Sequence, residues 1–261
     1  MNPIVPTEKN SPVPQEKEYD FTVPGVAAMA PNGLKRALDV GCSGGALGYY
    51  LKNQLGYEEV VGIEYSQVAS EKAARFLDRV FTGDACRIEL PPAYDSYFDL
   101  IVYADVLEHL YDPWAVVGKH QAYLQKGGYV LASIPNLRNL FVILRLLAGR
   151  FDYTELGLLD RTHLRFFTAD TAVEMFTNAG YELVRFSKSI RDAAWHKDLN
   201  PEQIIEPRIL EFYDHVYRKH LNGEDCSADL HGCFGLFSFT PDATADLLTA
   251  QYHLLFRKPG A

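Results

Sequence analysis

Cysteine is scarce and scattered in this 261-residue chain: Cys42, Cys86, Cys226 and Cys233 form no Cys-x-x-Cys pair. That spacing signals neither a disulfide framework nor a zinc ribbon. A reducing compartment, the cytoplasm, is the expected home. Blocks of lysine and arginine are also missing, and the formal net charge is −9. Binding to nucleic acid through a general basic surface is therefore not expected. The apolar run Leu140 to Leu147 is too short to span a bilayer and carries Arg145, so no stable membrane insertion is expected. The first twenty residues hold no apolar leader core. Residues 1–18 read instead as a disordered lead-in, with one domain over 19–261.

What the chain does have is a rhythm. Short apolar runs end at "RALDV", "VVGIE", "VFTGD", "FDLIVYAD" and "GYVLASIP", and their terminal polar residues are Asp39, Glu64, Asp84, Asp105 and Ser133. The gaps of 25, 20, 21 and 28 residues each fit a strand, a turn and a short helix. Helix signals fill the gaps. Ser66 can cap "QVASEKAARFL", Asp112 followed by Pro113 starts another helix closed by Gly127-Gly128, and Thr168 can cap "ADTAVEMFTNA" with Gly180 as the stop. The expected fold is α/β: a Rossmann-like, doubly wound, mainly parallel sheet of seven strands with helices on both faces. "YELVRFS" supplies one late strand. "AQYHLLFRK" supplies the last, returning antiparallel to finish the sheet edge. Residues 137–167 and 190–250 break the rhythm and read as two insertions.

Ligands of open parallel sheets bind beyond the carboxyl ends of the strands. Here those ends carry Asp39, Glu64, Asp84 and Asp105, just where a glycine-rich turn, "GCSGG", leads into a helix. Four acids around one crevice would repel a pyrophosphate. They suit a ligand with a ribose, an amino group and a positive centre. The dinucleotide fingerprint G-x-G-x-x-G is matched only in part, because Ser43 stands where its second glycine belongs. A nicotinamide-dependent oxidoreductase stays as the alternative enzyme, and a catalytically inactive cofactor-binding partner domain as the alternative outside enzymes.

The successive motifs "LDVGCSGG", "VVGIEYS", "TGDA", "FDLIVYADVLEHLYDP" and "LQKGGYVLASIPN" resemble those of class I S-adenosylmethionine-dependent methyltransferases over roughly residues 34–136. "LLDRTHLRFFT" is similar to a subgroup found with glycan genes. Ser43 departs from the family's usual glycine. The resemblance implies S-adenosylmethionine as cofactor, S-adenosylhomocysteine as product, and a small molecule or sugar as acceptor. It places Asp39, Gly41 and Gly45 at the methionine half, Glu64 and Tyr65 at the ribose, and Asp84 with Ala85 at the adenine. Ala104 lies beside the cofactor, and Tyr19 folds over its methionine end.

On the acceptor side, "ADVLEHL" puts Asp105, Glu108 and His109 past the fourth strand, and "DRTHLRFF" supplies His163. Histidine suits a general base near neutral pH, so His109 and His163 are the candidate catalytic residues, with Asp105 beside them. Some quinone-precursor O-methyltransferases resemble this chain in having an acid, two residues and Glu-His, and hold Mg²⁺ there. On that pattern Asp105, Glu108 and His109 are the lesser, magnesium expectation, since histidine is an unusual partner for Mg²⁺. Arg138, Arg145, Arg150, Arg161 and Arg165 either bind an anionic acceptor group or form internal ion pairs. The apolar helix among them is compatible with a lid, core or a homodimer surface. Cys42 reads as a small turn filler.

Overall fold

A computed structural model describes residues 24–199, 205–235 and 240–260. In chain order it runs α1 (Pro24–Ala27), β1 (Arg36–Val40), α2 (Ala46–Leu55), β2 (Glu59–Glu64), α3 (Gln67–Ala73), β3 (Arg79–Thr82), β4 (Phe98–Ala104), α4 (Pro113–His120) and β5 (Leu124–Pro135). Then follow α5 (Leu140–Leu147), α6 (Ala169–Asn178), β6 (Glu182–Ile190), α7 (Ala193–Leu199), α8 (Pro207–Leu221), α9 (Ser227–Phe234), α10 (Pro241–Leu248) and β7 (Thr249–Arg257). The seven strands form one sheet in the order β3-β2-β1-β4-β5-β7-β6. Strands β1 to β5 pair in parallel, and β7 pairs antiparallel with both β5 and β6.

Side chains alternate across the central strands, as a doubly covered sheet requires. Leu38, Val40, Ile101 and Tyr103 face a core closed by Val116 and Val117 of α4 and by Ala172, Met175 and Phe176 of α6. Ala37, Leu100 and Val102 face the opposite core, closed by Val26 of α1, Leu47 and Leu51 of α2, and Ala73 of α3. The caps expected from sequence form at three helices. Ser66 Oγ accepts from the Ala69 amide at 3.3 Å, and Asp112 Oδ1 from the Ala115 amide at 2.9 Å. Thr168 builds a reciprocal capping box with Thr171. The Gly127-Gly128 pair does not end a helix: α4 stops at His120, and both glycines lie inside β5.

The last strand differs from the sequence expectation in its place. Strand β7 is not the edge but lies between β5 and β6, leaving β6 outermost. Their composition explains the order: "TAQYHLLFR" is buried along most of its length, whereas Glu182 to Arg185 of β6 are exposed. A strand that can bury both faces takes the inner position, and one carrying charge takes the edge.

The segment after β5 is pinned to the far end of the chain. Asn136, fully buried, donates through Nδ2 to the carbonyls of Asp246 and Thr249, at 2.8 and 2.9 Å. Leu140 and Phe141 of α5 then share an apolar cluster with Tyr213 and Val216 of α8, Leu230 of α9, and Leu247 and Leu248 of α10. Helices α8, α9 and α10 therefore pack as a layer against α5. None of the helices among the described residues is long and apolar enough to cross a membrane.

Candidate active site

The strand ends converge as the sequence pattern requires. Asp39 sits in β1, Glu64 closes β2, Asp84 lies two residues past β3, and Asp105 directly follows β4. The turn between β1 and α2 holds them together. Gly41 (φ 71°), Ser43 (φ 49°) and Gly45 (φ 87°) are all left-handed, which is why the family prefers glycine where this chain has Ser43. The Gly41 amide donates to the Ile63 carbonyl at 2.7 Å, and the Ser43 amide to Glu64 Oε2 at 2.8 Å. A β-carbon on Gly41 would come 2.4 Å from Val106 Cγ2, and one on Gly45 3.0 Å from the Ala73 Cα. Both glycines thus admit the protein's own neighbours, a role that the sequence reading did not assign to them.

Glu64 is nearly buried. Its Oε1 accepts from the Ser66 amide at 2.8 Å, so the carboxylate clips together the two turns that follow β1 and β2. Asp39 is buried with Oδ2 lacking any hydrogen-bond partner among the described residues. Burial, and secondly the Glu64 charge, push its carboxyl up to about 7. Such an oxygen is costly until a cationic donor reaches it. Asp84 Oδ1 accepts from the Cys86 amide at 2.8 Å, and its Oδ2 lies 3.5 Å from Arg87 Nε. Ala85 is buried beside it, Ala104 is half-buried, and Tyr65 is 80% exposed. Tyr19 lies outside the described residues. Cys42 is buried, and burial first, then Asp39 and Glu64, push its thiol well up, so it remains a neutral packing group.

Past β4 the backbone turns through Asp105, itself left-handed at φ 54°. Its Oδ1 accepts from Ser133 Oγ at 2.6 Å and from Gln251 Nε2 at 2.8 Å, which ties β4, β5 and β7 together at this end of the sheet. Asp105 Oδ1 is thereby committed to these two partners, while its charge still acts on a three-residue cluster beyond it. Glu108 is 1% exposed, and neither of its carboxylate oxygens has a hydrogen-bond partner among the described residues. Its Oε1 lies 3.9 Å from His163 Nε2 and 4.0 Å from His109 Nε2. The two imidazoles meet edge to face, 4.7 Å between ring centroids. The segment carrying His163 is held there by main chain: the amides of Leu164 and Arg165 donate to the Glu108 carbonyl at 2.8 and 2.9 Å. Burial holds Glu108 well above the usual carboxylate range, helped by the Asp105 charge. Burial also lowers His109, and it lowers His163 to about 4 with His109 as the second cause. Both rings are therefore neutral at physiological pH.

His109 is oriented from behind. Its Nδ1 lies 3.0 Å from Thr162 Oγ1, and that hydroxyl donates to Asp160 Oδ1 at 2.6 Å. With the threonine proton committed to Asp160, Nδ1 must be the donor, which leaves the Nε2 lone pair facing Glu108. Sequence reading found His109 and His163 separately and placed Ser133 at a strand end, but missed Thr162, Asp160 and Gln251. Among these only Gln251 carried a signal, as a polar residue in an otherwise apolar last strand.

Beside the cluster, Phe166 packs edge-on to His163 at 6.3 Å and joins Val142, Leu158, Leu159 and Trp195 in one apolar group. Val142, Leu158, Leu159 and Trp195, with Phe141, Arg145 and His196, line a small pocket of about 20 Å³, room for one water. Arg145 Nη1 and His196 Nε2 are buried there without hydrogen-bond partners among the described residues. Of the two readings open for the five arginines, anion binding or internal ion pairs, the structure shows mainly the second. Arg138 binds Asp246 at 2.7 Å, Arg145 and Arg150 share Asp152 at 2.6 and 3.0 Å, Arg161 meets Glu155, and Arg165 donates to the Tyr111 carbonyl.

A sheet of this order with acids at its strand ends and a glycine turn over the first strand defines a cofactor-binding methyltransferase fold. The family of methyltransferase domains matches residues 16–185. A ubiquinone biosynthesis O-methyltransferase of Thiobacillus denitrificans is 28% identical over 163 residues, covering 60% of this chain and 68% of that one. An S-adenosylmethionine-dependent methyltransferase of Archaeoglobus fulgidus has the same fold, with TM-score 0.57 and 16% identity over 93% of this chain and 97% of the other. A phosphoethanolamine N-methyltransferase of Haemonchus contortus in complex with S-adenosyl-L-methionine matches at TM-score 0.51 and 15% identity, over 88% of this chain and half of that one. The chain belongs to the methyltransferase domain family, as a class I S-adenosylmethionine-dependent methyltransferase. The nicotinamide alternative is set aside by this membership.

Proposed function

We propose that the protein methylates an oxygen of a small molecule or sugar. S-Adenosylmethionine, when bound, supplies a sulfonium-activated methyl group and leaves as S-adenosylhomocysteine. The observation that carries the oxygen assignment is the neutral His109 imidazole past β4, fixed in one tautomer by Thr162 and Asp160. An acceptor hydroxyl must lose its proton as its oxygen attacks, and a positioned imidazole can take it, typically worth 10²–10⁴-fold. His163 and Asp105 act on the acceptor side by shaping this corner.

The cofactor end has fitting residues. Asp39 Oδ2 is a buried acceptor in need of a cationic donor, and the methionine ammonium would supply one. Glu64 keeps lone pairs beyond those used by Ser43 and Ser66, so both ribose hydroxyls can still donate to it. Asp84 would accept from the adenine amino group. Tyr19, Tyr65, Gly41, Gly45, Ala85 and Ala104 would complete the surround.

The test is a panel of phenolic, sugar and amine acceptors, scored by S-adenosylhomocysteine release and by mass analysis of the product. Hydroxyl acceptors should turn over, and His109→Ala should lower their rate while cofactor affinity stays within a few-fold. Turnover of amines alone would overturn the oxygen assignment.

A further inference from the structure

We propose that the pocket between α5, α7 and the loop of residues 154–159 binds a monovalent anion of halide size, with Arg145 and His196 as its ligands. Both side chains are almost wholly buried, Arg145 at 2% exposed and His196 at 4%. Both line the same pocket, and Arg145 Nη1 and His196 Nε2 lack hydrogen-bond partners among the described residues. A buried cationic donor without an acceptor is costly, so a group bearing lone pairs belongs against it.

Charge favours an anion over a neutral ligand. Arg145 Nη2 and Arg150 Nε share a single carboxylate oxygen, Asp152 Oδ2, at 2.6 and 3.0 Å. Two guanidinium groups therefore face one carboxylate. Arg150 and Asp152 are about half in solvent and well screened, whereas the Arg145 charge is buried and is not.

The donors and acceptors of the lining agree. Burial lowers His196 to about 3, so its ring is neutral and Nε2 donates in one of its two tautomers. The ring is held by stacking on Phe141, 4.3 Å between centroids, and by an edge contact with Tyr213 at 5.2 Å. Phe141, Val142, Leu158 and Leu159 add only apolar surface, and the Thr154 hydroxyl has given its proton to the Leu156 carbonyl at 2.8 Å. A water molecule here would bring two protons of its own, with only the Thr154 oxygen among these side chains to receive one. An anion brings lone pairs alone and selects the donating tautomer of His196.

Size sets the class of anion. The pocket holds about 20 Å³, room for one water. A chloride or bromide ion is little larger, whereas sulfate and phosphate do not fit. Bound there, the ion joins α5 and α7 to the loop that leads through Asp160 and Thr162 to His163, and so braces the first insertion.

No acceptor or methyl transfer enters this inference, so it and the proposed oxygen methylation can fail separately. Full-length protein is exchanged into sodium gluconate, and chloride, bromide or sulfate is added at constant ionic strength while the melting temperature is followed. Chloride and bromide should raise it saturably, with a midpoint on the order of 10 mM, and sulfate should not. Crystals grown in bromide should show an anomalous peak in contact with Arg145 and His196. His196→Phe keeps the stacked ring but removes the donor, and should weaken the halide effect at least 5-fold. Arg145→Lys keeps a charge for Asp152 but loses Nη1, and should abolish it; if that variant does not fold, His196→Phe and the bromide peak decide. An ordered water in place of bromide would overturn the site. So would a halide effect that sulfate reproduces or that His196→Phe leaves unchanged.

Discussion

His163 Nε2 lies 3.9 Å from Glu108 Oε1, although the two residues belong to different segments of the chain. The approach is enforced by main chain, since the Glu108 carbonyl accepts from both Leu164 and Arg165. The geometry therefore does not depend on the side chains attracting each other. Replacing His163 should leave the segment where it is and report on chemistry rather than on folding.

Thr162 offers a finer test, because its hydroxyl meets His109 Nδ1 directly. Thr162→Val should leave melting temperature nearly unchanged and lower turnover of a hydroxyl acceptor about 10-fold, since His109 loses the group that orients it. Thr162→Ser should restore turnover. Equal losses from valine and serine would mean that the methyl group, not the hydroxyl, matters.

Asp39 should make stability fall as pH rises. Its folded carboxyl titrates at about 7, against an ordinary value of 3.8, so the native state holds a proton that the unfolded chain has lost. Stability therefore declines between about pH 4 and 7 and is level above. The total effect from this group is about 4 kcal/mol. Asp39→Asn should remove that slope and exceed the parent's stability most at pH 8, as measured by denaturant titration. S-Adenosylhomocysteine binding at pH 6 should release close to one proton, seen as a buffer-dependent heat, if the ammonium group holds Asp39 ionised.

Glu64→Ala should act twice. Loss of the charge-assisted ribose contact should weaken S-adenosylhomocysteine by roughly 10–100-fold in calorimetry. Loss of the acceptor for the Ser43 and Ser66 amides should also cost about 1–3 kcal/mol of stability. Glu64→Gln keeps one acceptor oxygen and should recover part of the stability without most of the affinity. A fully stable alanine variant would mean that water replaces the carboxylate at both turns.

The turn between β1 and α2 should respond in opposite directions at two positions. Gly41→Ala combines left-handed backbone with a β-carbon 2.4 Å from Val106 Cγ2, and should destabilise by about 3 kcal/mol. Adding Val106→Ala should return only the packing share. Ser43→Gly relieves a left-handed serine and should stabilise by about 0.5–1 kcal/mol, allowing for the freedom glycine gains when unfolded. Thermal unfolding reads both.

The parallel half of the sheet was legible because β1 to β4 each lead to an acid and β5 carries Ser133 near its end, while Ser66 and Asp112 mark the starts of two of the intervening helices. Asp39, Glu64, Asp84 and Asp105 could be placed on one crevice from that alone. Local signals do not encode contacts across the sheet, however. Nothing near Glu108 indicates that His163 will be its neighbour, because the pairing is made by backbone hydrogen bonds from Leu164 and Arg165. The anchoring of Asp105 was hidden for the same reason: its partners Ser133 and Gln251 sit on two other strands. The place of β7 was hidden too, since pairing order follows burial on both faces, and only the exposed charge of β6 hinted at it.

The inner position of β7 bears on how the sheet is assembled. Five parallel strands can associate in sequence as the chain is made, but β6 has nothing to pair with until β7, beyond residues 191–248, has docked against β5. Closure of this side is thus a long-range event whose loop entropy is met late, which slows folding. Because Gln251 of β7 reaches Asp105, the same docking step also sets the corner after β4. A chain caught before that step would present β5 as an open edge and hold an unfinished acceptor side. It would be exposed to strand-to-strand aggregation at the stage when it cannot yet act.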